Sequence, residues 1–242
     1  MTTSVLTRRT RDPRRRGDGP GSRPLVGLGE VLITAGVLVA MFVLWQLWWT
    51  DVVAGRDTDR AAAALARAWD DGSTDRAAGP DDVVVRAGEP VALLRIPRFG
   101  ADWRRPVVEG TSAGDLRKGV GHYPGTALPG QVGNMAVAGH RTTYGHPFRE
   151  LESLVPGDLV LVETAHRVAT YRVLVRAVVA PTDVDVVAAD PDHPDRPAAA
   201  ATRALLTLTT CHPEFSARQR LVVRAELVSV SAKPTAPRGE GP

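Results

Sequence analysis

From Val31 to Thr50 the chain reads VLITAGVLVAMFVLWQLWWT, with no charged residue. At 1.5 Å of rise per residue, a helix of about 20 residues spans the roughly 30 Å of a bilayer's hydrocarbon core. A helix that is apolar all round belongs in lipid or in the middle of a large core. The run therefore predicts a membrane-spanning helix. Trp45, Trp48 and Trp49 fall at its C-terminal end, where an aromatic belt meets the headgroups. Seven arginines from Arg8 to Arg23 precede it, against Asp12, Asp18 and Glu30. The positive-inside rule then puts the N-terminus in the cytoplasm and everything past residue 50 outside. A cleaved signal peptide fits poorly. Its apolar region is about 7–15 residues and ends at a small-residue cleavage site, whereas this run ends in WQLWWTDVV.

The arginine cluster also accounts for the net charge of +3. Past residue 50 there are 23 basic and 24 acidic side chains, so the bulk of the chain is close to neutral. That balance, without clustered Lys/Arg and interleaved aromatics, argues against nucleic acid as a partner.

An outside location sharpens the meaning of Cys211, the only cysteine in 242 residues. Extracellular domains use cysteines in pairs, and one cysteine makes no intrachain bridge. Three readings remain: a small buried hydrophobe, an intermolecular disulfide, or a thiol kept for its reactivity.

The chain divides by texture. Residues 1–24 read as a basic, Gly- and Pro-rich cytoplasmic tail, 25–50 as the anchor, and 51–84 as an extracellular stalk or linker. Within the stalk, RAAAALARAW is a patch for a short helix. Removing residues 1–80 is expected to leave a soluble domain. From 85 to 232 short β-branched runs dominate: VALLRIP, NMAVAG, DLVLVET, ATYRVLVRAVVA, ALLTLTT and RLVVRAELVSV. Pro-Gly turn signals at 124–125, 129–130 and 156–157 punctuate them, which predicts an all-β barrel or sandwich. GDLRKGVGHY and PFRELESL read as short helical turns. Residues 233–242 are a C-terminal tail.

A nucleophilic thiol needs a base or a positive field nearby. Of six histidines, His140 stands out, because it ends the apolar run MAVAG and opens the polar loop RTTYGHPF. His193 lies in an acidic, turn-rich loop, and His166 reads as a hairpin turn residue. His212 follows Cys211 directly, and successive strand residues face opposite ways, so its ring is a poor base for that thiol. His122 and His146 are possible pocket-wall residues. Arg220 opens the strand expected to return beside Cys211, across an eight-residue connection longer than the usual hairpin loop of about two to five. A cation there would suit a developing oxyanion. Arg218 competes for that role.

TLTTC (207–211), followed by RLVV (220–223) and preceded by GHYPGTALPGQVGNMAVAGHRTTYG (121–145), resembles the sortase family. It is most similar to the class E sortases of high-GC Gram-positive bacteria. The resemblance covers about 85–231, with the AGH block about 70 residues before the cysteine. It implies an eight-stranded sortase-type β-barrel with short helices, behind one N-terminal transmembrane helix. His140 matches the family's histidine, Cys211 its nucleophile and Arg220 its arginine. The implied activity is a cysteine transpeptidase, without cofactor or metal, acting on an LAxTG- or LPxTG-type sorting motif of secreted proteins. Cleavage between Thr and Gly through a thioacyl enzyme would pass the protein to an amine of a cell-wall peptide or of a pilin. Tyr123 and Thr142 are candidate substrate-binding residues, Tyr123 for choosing Ala over Pro. The backbone N–H of His212 is a candidate second oxyanion donor.

Other classes make different demands. An L,D-transpeptidase-like enzyme carries an SHGC-type block with an arginine two residues past the cysteine, and here none occurs before Arg218. A zinc site from His140, His146, Cys211 and His212 has only one local Cys-His dipeptide, where recurrent ligand spacings are usual. A binding module that keeps the barrel without its chemistry would tolerate loss of the thiol.

Overall fold

The computed structural model describes residues 22–70 and 85–233. The greater part of the expected basic tail, the polar stretch 71–84 and the tail 234–242 lie outside the described residues. The chain forms two units, Met1–Leu47 and Trp48–Pro242.

The first unit holds the start of helix α1 (Ser22–Asp70). Within it, Gly27–Gln46 is long and apolar enough to cross a membrane, and none of that window is buried in protein.

The second unit is built on a closed eight-stranded barrel. Its strands are β1 (Pro90–Arg95), β2 (Arg104–Glu109), β3 (Val120–His122), β4 (Gly133–Ala138), β5 (Leu159–Glu163), β6 (Arg167–Val179), β7 (Ala204–His212) and β8 (Gln219–Ala232). They run around the barrel as β1-β2-β3-β4-β7-β8-β6-β5. Two neighbouring pairs, β2 with β3 and β4 with β7, are parallel, and the rest are antiparallel. Closure leaves no unpaired sheet edge. The six β-branched runs of the sequence all become strands. Strands β2 and β3 lie outside them, because RRPVVE carries a proline and three charges and β3 has only three residues.

The barrel interior follows the period of two. Leu206 and Leu208 of β7, Met135 and Val137 of β4, and Leu221 and Val223 of β8 all point into one cluster with Phe148 and Tyr171. Burying each aliphatic side chain stabilises the fold by about 1.5–3 kcal/mol. At all three Pro-Gly turns the glycine takes positive φ, 80° at Gly125 and Gly130 and 99° at Gly157, a conformation only glycine enters cheaply. The short helical turns occur as α2 (Ala113–Leu116), closed by a Ser112–Asp115 capping box, and as a 3-10 turn at Leu151–Ser153.

The segment read as a stalk differs from expectation. Helix α1 continues to Asp70, and its last turns pack on the barrel. Thr58, Ala62 and Trp69 recur at helical spacing on one buried stripe, with Ala62 and Trp69 against Leu93. Asp59 accepts a hydrogen bond from Arg105, whose guanidinium also lies 5.3 Å from the Trp103 ring centre. Lys233 caps the contact, 3.4 Å from Asp70 and 5.3 Å from the centre of the Trp69 ring. The residues around this stripe are rich in alanine, so the sequence marks the segment as helical without marking it as buried.

A chain starting at residue 85 lacks these contacts and leaves Leu93 exposed. Loss of the Trp69 packing alone is worth about 3 kcal/mol, which lowers the melting temperature by roughly 6–12 °C against a chain starting at residue 53. Scanning fluorimetry of the two chains measures it, and equal melting temperatures would show that the helix adds nothing.

Candidate active site

Cys211 sits one residue before the end of β7, half-buried. Its direct partner across the antiparallel pair is Arg220 on β8. Arg218 precedes that strand. The Arg220 guanidinium donates to the carbonyls of Ala217 and Gln219, each at 3.0 Å. The loop between the strands is thus tied to the residue facing the thiol.

His140 arrives from the other side. Strand β4 runs parallel to β7 with Ala138 opposite Thr209. The pairing carries on past the last β4 residue. Gly139 N–H donates to the Thr209 carbonyl at 3.0 Å, and Thr210 Oγ1 donates to the Gly139 carbonyl at 2.8 Å. Continuing that register brings His140 level with Cys211 at the ends of adjacent strands. Gly139 is required there by close approach, since a Cβ would lie 2.4 Å from the buried Phe148 ring. Phe148 in turn donates its backbone N–H to the His140 carbonyl at 3.0 Å.

The His140 ring is half-buried, and its Nε2 has no hydrogen-bond partner among the described residues. The Tyr144 ring leans on it with centres 5.1 Å apart, and the Arg117 guanidinium lies 5.2 Å from the Tyr144 ring centre. Burial, and then the Arg117 charge, hold the His140 pKa below its ordinary value of 6.5. At neutral pH the imidazole is therefore uncharged. Tyr144 at φ 53° and the exposed Phe215 at φ 64° are strained, and they lie in the loops that follow His140 and Cys211.

The other candidates separate. The Tyr123 hydroxyl shares a 3.2 Å hydrogen bond with Thr209 Oγ1, two residues before the thiol. Thr142 is partly exposed in the loop after His140. Strand β7 extends through His212, whose ring turns to Arg141, with Nδ1 accepting from the guanidinium at 2.8 Å. His122 is not a pocket wall. It is 1% exposed and donates from Nδ1 to Glu109 at 2.6 Å, joining β3 to β2 inside the protein. His146 does line a cavity of about 150 Å³, with Phe99, Trp103, Arg105, Gly145 and Arg149. His166 is in the β5–β6 hairpin turn, and His193 lies 3.0 Å from Asp190. Among the described residues no group of three or more His, Cys, Asp or Glu could hold a metal.

Sequence reasoning missed Arg117, Arg141 and Tyr144. Arg141 and Tyr144 lie within four residues of His140 and were open to a closer reading of that loop. Arg117 carries no local signal, because only the fold brings α2 to the Tyr144 ring.

Replacing Arg117 by Gln removes a positive charge beside His140. Its imidazolium becomes less unfavourable, so the His140 titration moves up toward 6.5 but stays below it, since burial is the larger cause. NMR titration of the His140 ring protons reads this shift. An unchanged midpoint would mean that the Arg117 charge does not reach the ring.

The sortase domain family model matches residues 94–228. Sortase SrtE1 of Streptomyces coelicolor is 37% identical over 226 residues, 90% of this chain. The chain spans 61% of that relative's length. Sortase E from Streptomyces avermitilis has the same fold at 42% identity and a TM-score of 0.54, covering 62% of this chain and 97% of its own. A crystal structure of Sortase E1 from S. coelicolor with a tripeptide in the active site matches at 35% identity and a TM-score of 0.54, covering 62% and 98%. With one family model matching more than half of its length and class E relatives along most of it, this chain belongs to the sortase family.

Proposed function

We propose that the protein is a membrane-anchored cysteine transpeptidase that cleaves a sorting motif of the LAxTG or LPxTG type between Thr and Gly. The observation that carries this reading is the meeting of strand ends: Cys211 opposite Arg220 across β7 and β8, and His140 two residues past Ala138, which pairs with Thr209, itself two residues before Cys211. Residues 85–232 form the catalytic domain, and 25–50 the anchor. The N-terminus lies in the cytoplasm and the catalytic domain outside.

In this mechanism the Cys211 thiolate attacks the Thr carbonyl carbon, and the oxyanion forms near Arg220 and the His212 N–H. The C–N bond breaks, and His140 gives its proton to the departing Gly amine. That leaves a thioester between Cys211 and the Thr acyl group. An acceptor amine then attacks the thioester, His140 takes the amine proton, and the Cys211 thiolate leaves. The acceptor is an amine of a cell-wall peptide. Tyr123, bonded to Thr209 beside the nucleophile, and Thr142 line the substrate pocket. A low-lying His140 titration makes the proton-carrying form a minority at neutral pH, so turnover depends on the fraction of chains with thiolate and imidazolium together. The tripeptide in the active site of the S. coelicolor Sortase E1 structure supports a peptide substrate for this geometry.

Purified full-length chain in detergent, given LAxTG and LPxTG peptides and an amine, is expected to show a thioacyl adduct on Cys211 by mass spectrometry and a joined product. Cys211→Ala should lose both while keeping its circular dichroism. An adduct that survives in Cys211→Ala would remove the thiol from the mechanism. Arg220→Ala should lower kcat by about 10²–10³ if Arg220 stabilises the oxyanion. Arg218→Ala should change it little, and the reverse order would move the role to Arg218.

A further inference from the structure

Directly after His140 the chain places an arginine whose side chain is almost wholly enclosed. Arg141 is 6% exposed. Its guanidinium reaches three groups at once: Nδ1 of His212 at 2.8 Å, the Cys211 carbonyl at 3.4 Å, and the carboxylate of Glu152. The contact joins the loop after β4, the end of β7 and the 3-10 turn at Leu151–Ser153. Arg176 of β6 donates to the Glu152 carbonyl, which fixes that turn from the far side.

Hydrogen-bond chemistry then decides the state of His212. A guanidinium has five donors, no acceptor, and does not lose its proton. The ring nitrogen that faces it must accept. The neutral His212 ring therefore carries its proton on Nε2, and a second proton on Nδ1 would point at a fixed cation. Arg141, which meets this ring, is paired with Glu152, and Glu214, two residues past His212, is paired with Arg149 at 3.4 Å.

We propose that Arg141 is a positioning residue for the end of β7. It selects the Nε2–H tautomer of the His212 ring and pins the Cys211 carbonyl, which holds the thiol in place for His140. This rests on the reading of Cys211 as nucleophile and His140 as its proton carrier.

The test uses the full-length chain in detergent with ¹⁵N-labelled histidine. Long-range proton–nitrogen correlations read the tautomer, with His212 identified by the signal lost in His212→Asn. In the unaltered protein the neutral His212 ring should be a single Nε2–H tautomer. In Arg141→Met it should show mixed tautomers, and kcat should fall about 10- to 100-fold with little change in KM. Arg141→Lys, which keeps a cation and donor, should restore the single tautomer and most of kcat. Mixed His212 tautomers in the unaltered protein overturn the proposal even if the Arg141 variants fail to fold. An unchanged tautomer and kcat in folded Arg141→Met overturn it as well. If the unaltered chain forms no thioacyl adduct, the nucleophile reading fails separately, and the tautomer measurement still decides what Arg141 does to His212.

Discussion

The parallel pairing of β4 with β7 is the contact on which the site depends. Each strand is a short apolar run, and nothing local sets their offset. Buried polar groups do. Thr207 donates to Asn134 Oδ1 at 2.8 Å, while the Asn134 amide donates to the carbonyls of Val186 and Ala188. Farther along, Thr210 donates to the Gly139 carbonyl. A one-residue slip would unpair these groups and turn Leu206 and Leu208 out of the core. The same register that keeps the leucines inside brings His140 to Cys211.

Arginines around that junction divide the work by where they are held. Arg220 pairs with Cys211 from β8 and donates to the carbonyls of Ala217 and Gln219. Arg141 lies behind it, committed to a carbonyl, a ring nitrogen and a carboxylate. Arg117 stands over Tyr144 and acts on His140 only through its field. Positive charge on that side, added to burial, disfavours the imidazolium. His140 is held neutral first by its burial and then by the Arg117 charge.

The outline of the fold was legible because β-branched runs and Pro-Gly turns are local signals. Six strands follow from them, and the cysteine and histidine stand out by position within those runs. Strand β2 was hidden by Pro106 and its charges, and β3 by its length. His122 illustrates the other limit: a polar residue in a glycine-rich stretch reads as accessible, yet Glu109 on the adjacent strand gives it a partner and allows burial. The last turns of α1 read as a tether because alanine marks helix without marking burial, and their partner Leu93 lies across the polar stretch.

By itself the sequence determined the apolar span before residue 50, the single thiol, and the runs that must become strands. These depend on composition and on periods of two or of a helical turn, which a chain carries locally. Tertiary structure decided which strand ends meet, that Arg220 rather than Arg218 lies opposite Cys211, and that Arg141 and His212 form a pair. Each of those joins residues far apart in the chain. Their geometry is set by barrel closure and by the tendency of buried donors and acceptors to find partners.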